Sequence, residues 1–138
     1  MAGPGVMVQE FMDSIVSEGE WSLIFLGGQF SHAVLKTAKP GDFRVQHDFG
    51  GKSQVADPQA HILECAILAV RAAGTTLSAR VDGVVGRTRY EDQFRVMELE
   101  LIEPALFLTS HPQATDRFAD AIASAVQPAT QVRKDRLG

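Results

Sequence analysis

Hydrophobic and polar positions alternate most cleanly at Met97-Glu98-Leu99-Glu100-Leu101. In an extended chain alternate side chains share a face. Glu98 and Glu100 therefore point one way, and Met97, Leu99 and Leu101 the other. Ala79-Arg80-Val81-Asp82-Gly83 alternates in the same manner, with Arg80 and Asp82 together. The polar stretch from Gly86 to Gln93 has the composition of a hairpin connection. If the strands Leu77 to Val85 and Phe94 to Glu103 pair, three carboxylates and one guanidinium meet on one face of one sheet.

The remaining pattern supplies the rest of the layout. Val6 to Phe11 predicts a short strand, and Asp13 to Gly19 a polar connection. Trp21 to Leu26 is a strongly apolar strand, Gly27-Gly28 a two-residue turn and Phe30 to Lys36 the returning strand. Ala38 to Gly41 predicts a turn, Asp42 to His47 another short strand, and Gly50 to Ser53 a flexible loop. A helix follows, with Asp57 as N-cap and Pro58 at its first position. Its apolar stripe is Ile62, Ala66 and Val70, widened by Leu63 and Ile67, and Gly74 closes it. Pro104 ends the ladder of the last strand. Asp116 to Val126 predicts a second helix, with Phe118, Ala121, Ile122 and Ala125 on one face, and Pro128 closes it. The sum is an α+β fold, an antiparallel sheet with helices packed on one face. Residues 1–5 are a small lead-in, 6–127 the folded domain and 128–138 a flexible tail. The chain start suits a segment of a longer protein.

Composition narrows the class. A length of 138 residues fits one domain with a real core. Hydrophobic content of 45% and charged content of 22% are globular values. A net charge of −4 argues against non-specific binding to nucleic acid or an anionic membrane. The single cysteine, Cys65, excludes an intrachain disulfide framework and sits in an apolar helical pattern, as a buried inert thiol would. No apolar run reaches the roughly 18 residues of a membrane helix. No signal peptide is evident, so the expected setting is cytoplasmic. No glycine fingerprint links a strand to a helix, and His32, His47, His61 and His111 show no zinc-like spacing with Cys65.

The charge cluster has two readings. Crowded carboxylates repel, and burying them is costly unless something compensates. A hard divalent cation would, because Mg²⁺ prefers oxygen ligands. The plainer alternative is a solvated outer face with a fortuitous ion pair.

The order of these pieces then resembles a known family. A strand running into a hinge, a hairpin, Gly41-Asp42-Phe43-Arg44, Gly50-Gly51, a helix, Arg80-Val81-Asp82 and Glu98-Leu99-Glu100 together resemble the C-terminal half of an ATP-grasp carboxylate–amine ligase. The branch is that of glutathione synthetase and the ribosomal-protein glutamate ligases, similar also to D-alanine–D-alanine ligase. The likeness runs from about Val6 to Val126.

The resemblance implies ATP and Mg²⁺ as cofactors and assigns residues to them. Gln9, Glu10 and Phe11 match the segment that meets the adenine edge. Glu20, with Glu18 in reserve, matches the carboxylate for the ribose hydroxyls. Lys36 and Arg44 match contacts to phosphate or acyl phosphate, where a guanidinium suits a bidentate grip. Gly50-Gly51 matches a loop that closes over substrate. Arg80 would stabilise the transferring phosphoryl group, and Asp82, Glu98 and Glu100 would hold metal. Glu100 stands where the family carries asparagine, which adds charge and leaves a Mn²⁺ preference open. Glu103-Pro104 departs from the small polar residues usual near substrate.

The implied activity is amide formation through an acyl phosphate, with small carboxylic acid and amine substrates. The family's N-terminal half, with its lysine and glycine-rich phosphate loop, has no counterpart in these residues. It is the expected partner, and this chain alone is expected to be inactive. The rival expectation is a non-catalytic module derived from the same fold that self-associates as a homodimer.

Overall fold

The computed structural model describes residues 5, 6, 8, 10–74, 76–87 and 92–126. The order is α1 (Ser14–Ser17), β1 (Glu20–Leu26), β2 (Gln29–Thr37), β3 (Lys52–Val55), α2 (Ala60–Ala73), β4 (Ser78–Arg87), β5 (Asp92–Glu100) and α3 (Ala114–Val126). Short 3₁₀ turns occupy His47–Phe49 and Leu108–Ser110. One five-stranded sheet runs β3-β2-β1-β4-β5, with every neighbouring pair antiparallel. The α+β layout is as the sequence led us to expect.

The apolar run of β1 is buried on both faces, and its alternation divides the core in two. Leu23 and Phe25 join Ala79, Val81, Val85 and Phe94 beneath α2, which contributes Ile62, Ala66 and Val70 at the expected helical spacing. Ile24, Leu26 and Val34 belong to the other face, where Phe118 and Ala121 of α3 cover them together with Leu106 and Phe107. The two long helices thus lie on opposite faces rather than sharing one. α3 shields only one end of its face, and the other end carries the charged residues.

Several local expectations are corrected. The described residues among 6–11 form no strand, and the connection after them contains α1. Asp42 to His47 is not a strand. The Asp42 carboxylate accepts the backbone N–H groups of Phe43 and Arg44 at 2.8 and 3.0 Å, so the chain turns and satisfies itself locally. Residues 52–53, expected in a loop, open the edge strand β3, whose side chains are all exposed. α2 starts two residues later than Asp57 and Pro58 suggest. Its first backbone bonds run from Ile62 and Leu63 to the Gln59 carbonyl. The expected tail, 128–138, lies outside the described residues.

β5 contains a bulge. Asp82 faces Glu98 and Gly83 faces Val96, leaving Met97 as the extra residue. A Cβ on Gly83 would lie 2.5 Å from the Arg95 carbonyl oxygen and from the Phe94 ring, so only glycine permits this approach. Leu99 packs on the α2 core as expected. Met97, expected beside it, lines a cleft with Val84 instead.

His32 ties the segment before α3 to the sheet. Its ring nitrogens contact the Leu106 carbonyl at 3.1 Å and Ser31 Oγ at 3.0 Å, and its ring stacks on His111 at 5.6 Å. Burial lowers its pKa below 6.5, opposed by the bond to Leu106 and helped by the neighbouring His111. The unfolded chain therefore binds the proton more readily, and stability should fall as pH drops below 6.5 through the folded value. Denaturation at neutral and mildly acidic pH checks this. His32→Gln should flatten the slope in that interval.

Candidate metal and phosphate site

Even-numbered residues of β1 and β4, those of β2 from His32 onward and the end of β5 share the face that α3 covers only in part. The ladder sets them in rows. Glu20 opposes Lys36, Ser22 opposes Asp82, Asp82 opposes Glu98, and Arg80 opposes Glu100. One carboxylate oxygen from each of Asp82, Glu98 and Glu100 lies within 4.8 Å of the others. The alternation read from the sequence gives this grouping once β4 and β5 pair in this register.

Two cations are woven into the acids. Arg80 Nε donates to both Asp82 oxygens, at 3.0 and 2.9 Å, and its Nη2 donates to Asp82 Oδ2 at 2.7 Å. The same nitrogen reaches Glu100, and Nη1 reaches the Ala105 carbonyl at 3.4 Å. Lys36 pairs with Glu20 and stands 3.6 Å from Asp82 Oδ1. Asp82, only 2% exposed, also accepts a hydrogen bond from the fully buried Ser22 hydroxyl.

Glu98 is the outlying member. It is exposed, and no described ion pair holds it. Desolvation raises its pKa above 4.5, the charges of Glu100 and Asp82 push it the same way, and Arg80 opposes them. For Arg80, burial works against the charge, but the bond to Asp82 and the charges of Asp82, Glu100 and Glu98 win, and its pKa is raised. Three carboxylates with oxygens within 4.8 Å of one another, one of them held partly against its own ionisation, suit a hard divalent cation. The residues fit Mg²⁺ or Mn²⁺.

The other expected site residues are placed as follows. Glu10 and Phe11 line a cleft of about 140 Å³ with Met12, Ile15, Val84 and Met97, on the same face as the acids. Gln9 lies outside the described residues. Phe11 meets Phe43 edge-on at 5.7 Å. Arg44 is not brought into the cluster by any described contact. Asp42 grips it at 3.0 and 2.9 Å, and its guanidinium sits 4.0 Å from the centre of the Phe49 ring. This grip holds the Asp42 carboxyl well below the usual carboxylate range. The sequence reading passed over Ser22. Its signal is a small polar residue inside the apolar run Trp21 to Leu26, in register with Asp82. A larger cavity, about 620 Å³, is at the opposite end of the face beneath α3. It is lined by Leu26, Phe30, Leu77 and Arg117 and contains none of these carboxylates.

This sheet, with a helix behind it and acids and cations on its open face, has the fold of the ATP-grasp ligases. In extent the chain is consistent with the C-terminal half of such a ligase. Its sequence is similar to the cycloserine biosynthesis protein DcsG of Streptomyces lavendulae, with 32% identity over 134 residues, 91% of this chain and 44% of that protein. The crystal structure of D-cycloserine synthetase DcsG superimposes with a TM-score of 0.69 over 86% of this chain and 42% of DcsG. D-alanine–D-alanine ligase from Bacillus anthracis, complexed with ATP, shares the fold at 17% identity. Its TM-score is 0.52, over 85% of this chain and 40% of the ligase. The ATP-grasp ligase PsnB, complexed with a precursor variant, Mg and ADP, shares it at 14% identity and TM-score 0.54, over 75% of this chain and 32% of PsnB. The chain thus spans less than half the length of each of these proteins. No protein-family profile matches it.

Proposed function

We propose that this chain supplies the metal-binding and phosphate-facing half of an ATP-dependent carboxylate–amine ligase. The observation that carries the reading is the row of Asp82, Glu98 and Glu100 interleaved with Arg80 and Lys36 on one open sheet face. The ATP of one related ligase structure and the Mg and ADP of another agree with it. In the proposed reaction a substrate carboxylate oxygen attacks the γ-phosphorus of ATP. The bond to the β-phosphate oxygen breaks, and ADP leaves. An amine nitrogen then attacks the acyl carbon, phosphate departs and the amine loses a proton.

Such transfers are governed by positioning and charge neutralisation rather than by a protein nucleophile. Mg²⁺ bound by Asp82, Glu98 and Glu100 would supply Lewis-acid stabilisation of phosphate charge. Arg80, fixed by Asp82 and Glu100, presents a planar cation for a phosphoryl group. Lys36 adds a second positive charge beside Asp82. Glu10 and Phe11 line the cleft that would take the adenine, and Glu20 offers a carboxylate to the ribose. Arg44 would have to release Asp42 to reach phosphate.

Phe11, Val96, Met97 and Ile102 are exposed apolar side chains, two of them in the cleft. Such surface favours a covering partner. The partner we propose is the N-terminal half of the ligase, and a second copy of this chain is the alternative. No helix among the described residues is long and apolar enough to cross a membrane, and we propose a cytoplasmic setting.

Calorimetry with ATP and Mg²⁺ tests the reading. The chain by itself should bind more weakly than micromolar, since a micromolar constant requires about −8 kcal/mol from half a clamp. The binding should depend on Mg²⁺ and disappear in Glu98→Gln. Binding that is indifferent to both would overturn the assignment.

A further inference from the structure

Ser22 sits in the middle strand, directly across the ladder from Asp82, and none of its surface is exposed. Its hydroxyl donates to Asp82 Oδ1. Each cation touching Asp82 is shared with another acid. Arg80 also holds Glu100, and Lys36 also holds Glu20. The Ser22 hydroxyl has Asp82 as its one described partner. The neighbouring inward residues of β1 are Glu20 on one side and Ile24 on the other. Ser22 therefore marks the line where the apolar half of the face gives way to the charged half.

We infer that Ser22 is a positioning residue that fixes the Asp82 carboxylate as a ligand for the divalent cation. The inference rests on the metal reading of the acidic cluster. A cation arriving at the face competes with Arg80 and Lys36 for the acids, and an anionic ligand competes with the acids for Arg80 and Lys36, because both are ion-paired. It does not compete for a buried neutral hydroxyl. Ser22 keeps Oδ1 anchored while Oδ2, whose described partner is Arg80, is left for the ion. Hydrogen bonds to ligating carboxylates orient them in the same way that partners orient ligating imidazoles.

The test follows the side-chain carboxyl ¹³C signals of Asp82, Glu98 and Glu100 in this chain during titration with Mg²⁺. In the parent, all three should move along one binding curve. In Ser22→Ala the midpoint should rise by about ten- to a hundredfold. The Asp82 response should shrink while Glu98 and Glu100 still move. Ser22→Thr, which keeps the hydroxyl, should restore the parent curve. Ser22→Cys, of similar volume and a much weaker donor, replaces Ser22→Ala if the alanine variant does not fold. An unchanged midpoint and Asp82 response in the donor-deficient variant would overturn the role of Ser22. If no parent signal responds to Mg²⁺, the metal reading fails separately. The metal-free Asp82 signal then decides whether Ser22 holds that carboxylate. A shift in Ser22→Ala that Ser22→Thr reverses supports the hold, and an unmoved signal overturns it.

Discussion

Arg80→Ala should lower the stability of the chain by about 3–5 kcal/mol, the usual penalty for breaking a buried ion pair from one side. The loss comes from what remains behind. Asp82 is 2% exposed and accepts three contacts from Arg80 within 3.0 Å. Without the guanidinium, a buried carboxylate keeps only the Ser22 hydroxyl and a lysine at 3.6 Å that is already committed to Glu20. Water cannot reach it easily, and Glu98 and Glu100 add repulsion. The double change Arg80→Met with Asp82→Leu should recover much of the loss, because it removes the stranded charge together with its partner. Urea unfolding of the single and double variants decides the matter. A single variant as stable as the parent would show that Arg80 is not what compensates Asp82.

Glu98→Gln should act in the opposite direction on the metal-free chain, raising its melting temperature at neutral pH. Glu98 carries a raised pKa, so the fold disfavours its charge. The stability linked to its neutral form is fully present below 4.5 and is lost as pH rises through the folded value. Glutamine has nearly the same volume and no charge to lose. The variant should therefore keep at neutral pH what the parent shows only in acid, and its stability should vary less with pH across that interval. In the assembled ligase the same change should reduce turnover by at least about a hundredfold, the scale for losing one group that stabilises transition-state charge. Single-turnover ADP formation and thermal melting read the two effects separately. Near-parental turnover, or a melting point far below the parent, would make Glu98 incidental or structural.

The acidic row was legible because strand alternation is geometrically strict. Once β4 and β5 pair in the register that sets Asp82 opposite Glu98, Arg80, Asp82, Glu98 and Glu100 share one face. The hairpin of β1 and β2 was legible for the same reason, aided by the Gly27-Gly28 turn. β3 was not, because Lys52, Ser53, Gln54 and Val55 bury nothing and join the sheet through backbone pairing alone. Asp42 to Arg44 was misread because an aspartate that bonds the next two amides competes with a ladder in a way that hydrophobic pattern does not record. The division of α2 and α3 between faces was hidden for another reason. Amphipathicity shows which side of a helix is apolar but not which face of the sheet receives it.

The bulge at Met97 has a consequence for how this strand can change in length. Phe94 and Glu98 are both even-numbered, yet one packs under α2 and the other faces Asp82. The extra residue switches the parity of the strand between the core it supports and the acids it presents. Loss of one residue at Val96 or Met97 would turn the bulge into plain ladder and leave Phe94 and Glu98 on their present faces. Loss of one residue after Glu98 would instead turn Glu100 into the core. Between relatives, a one-residue difference in β5 is thus tolerable at one point, and there it changes neither the core nor the site.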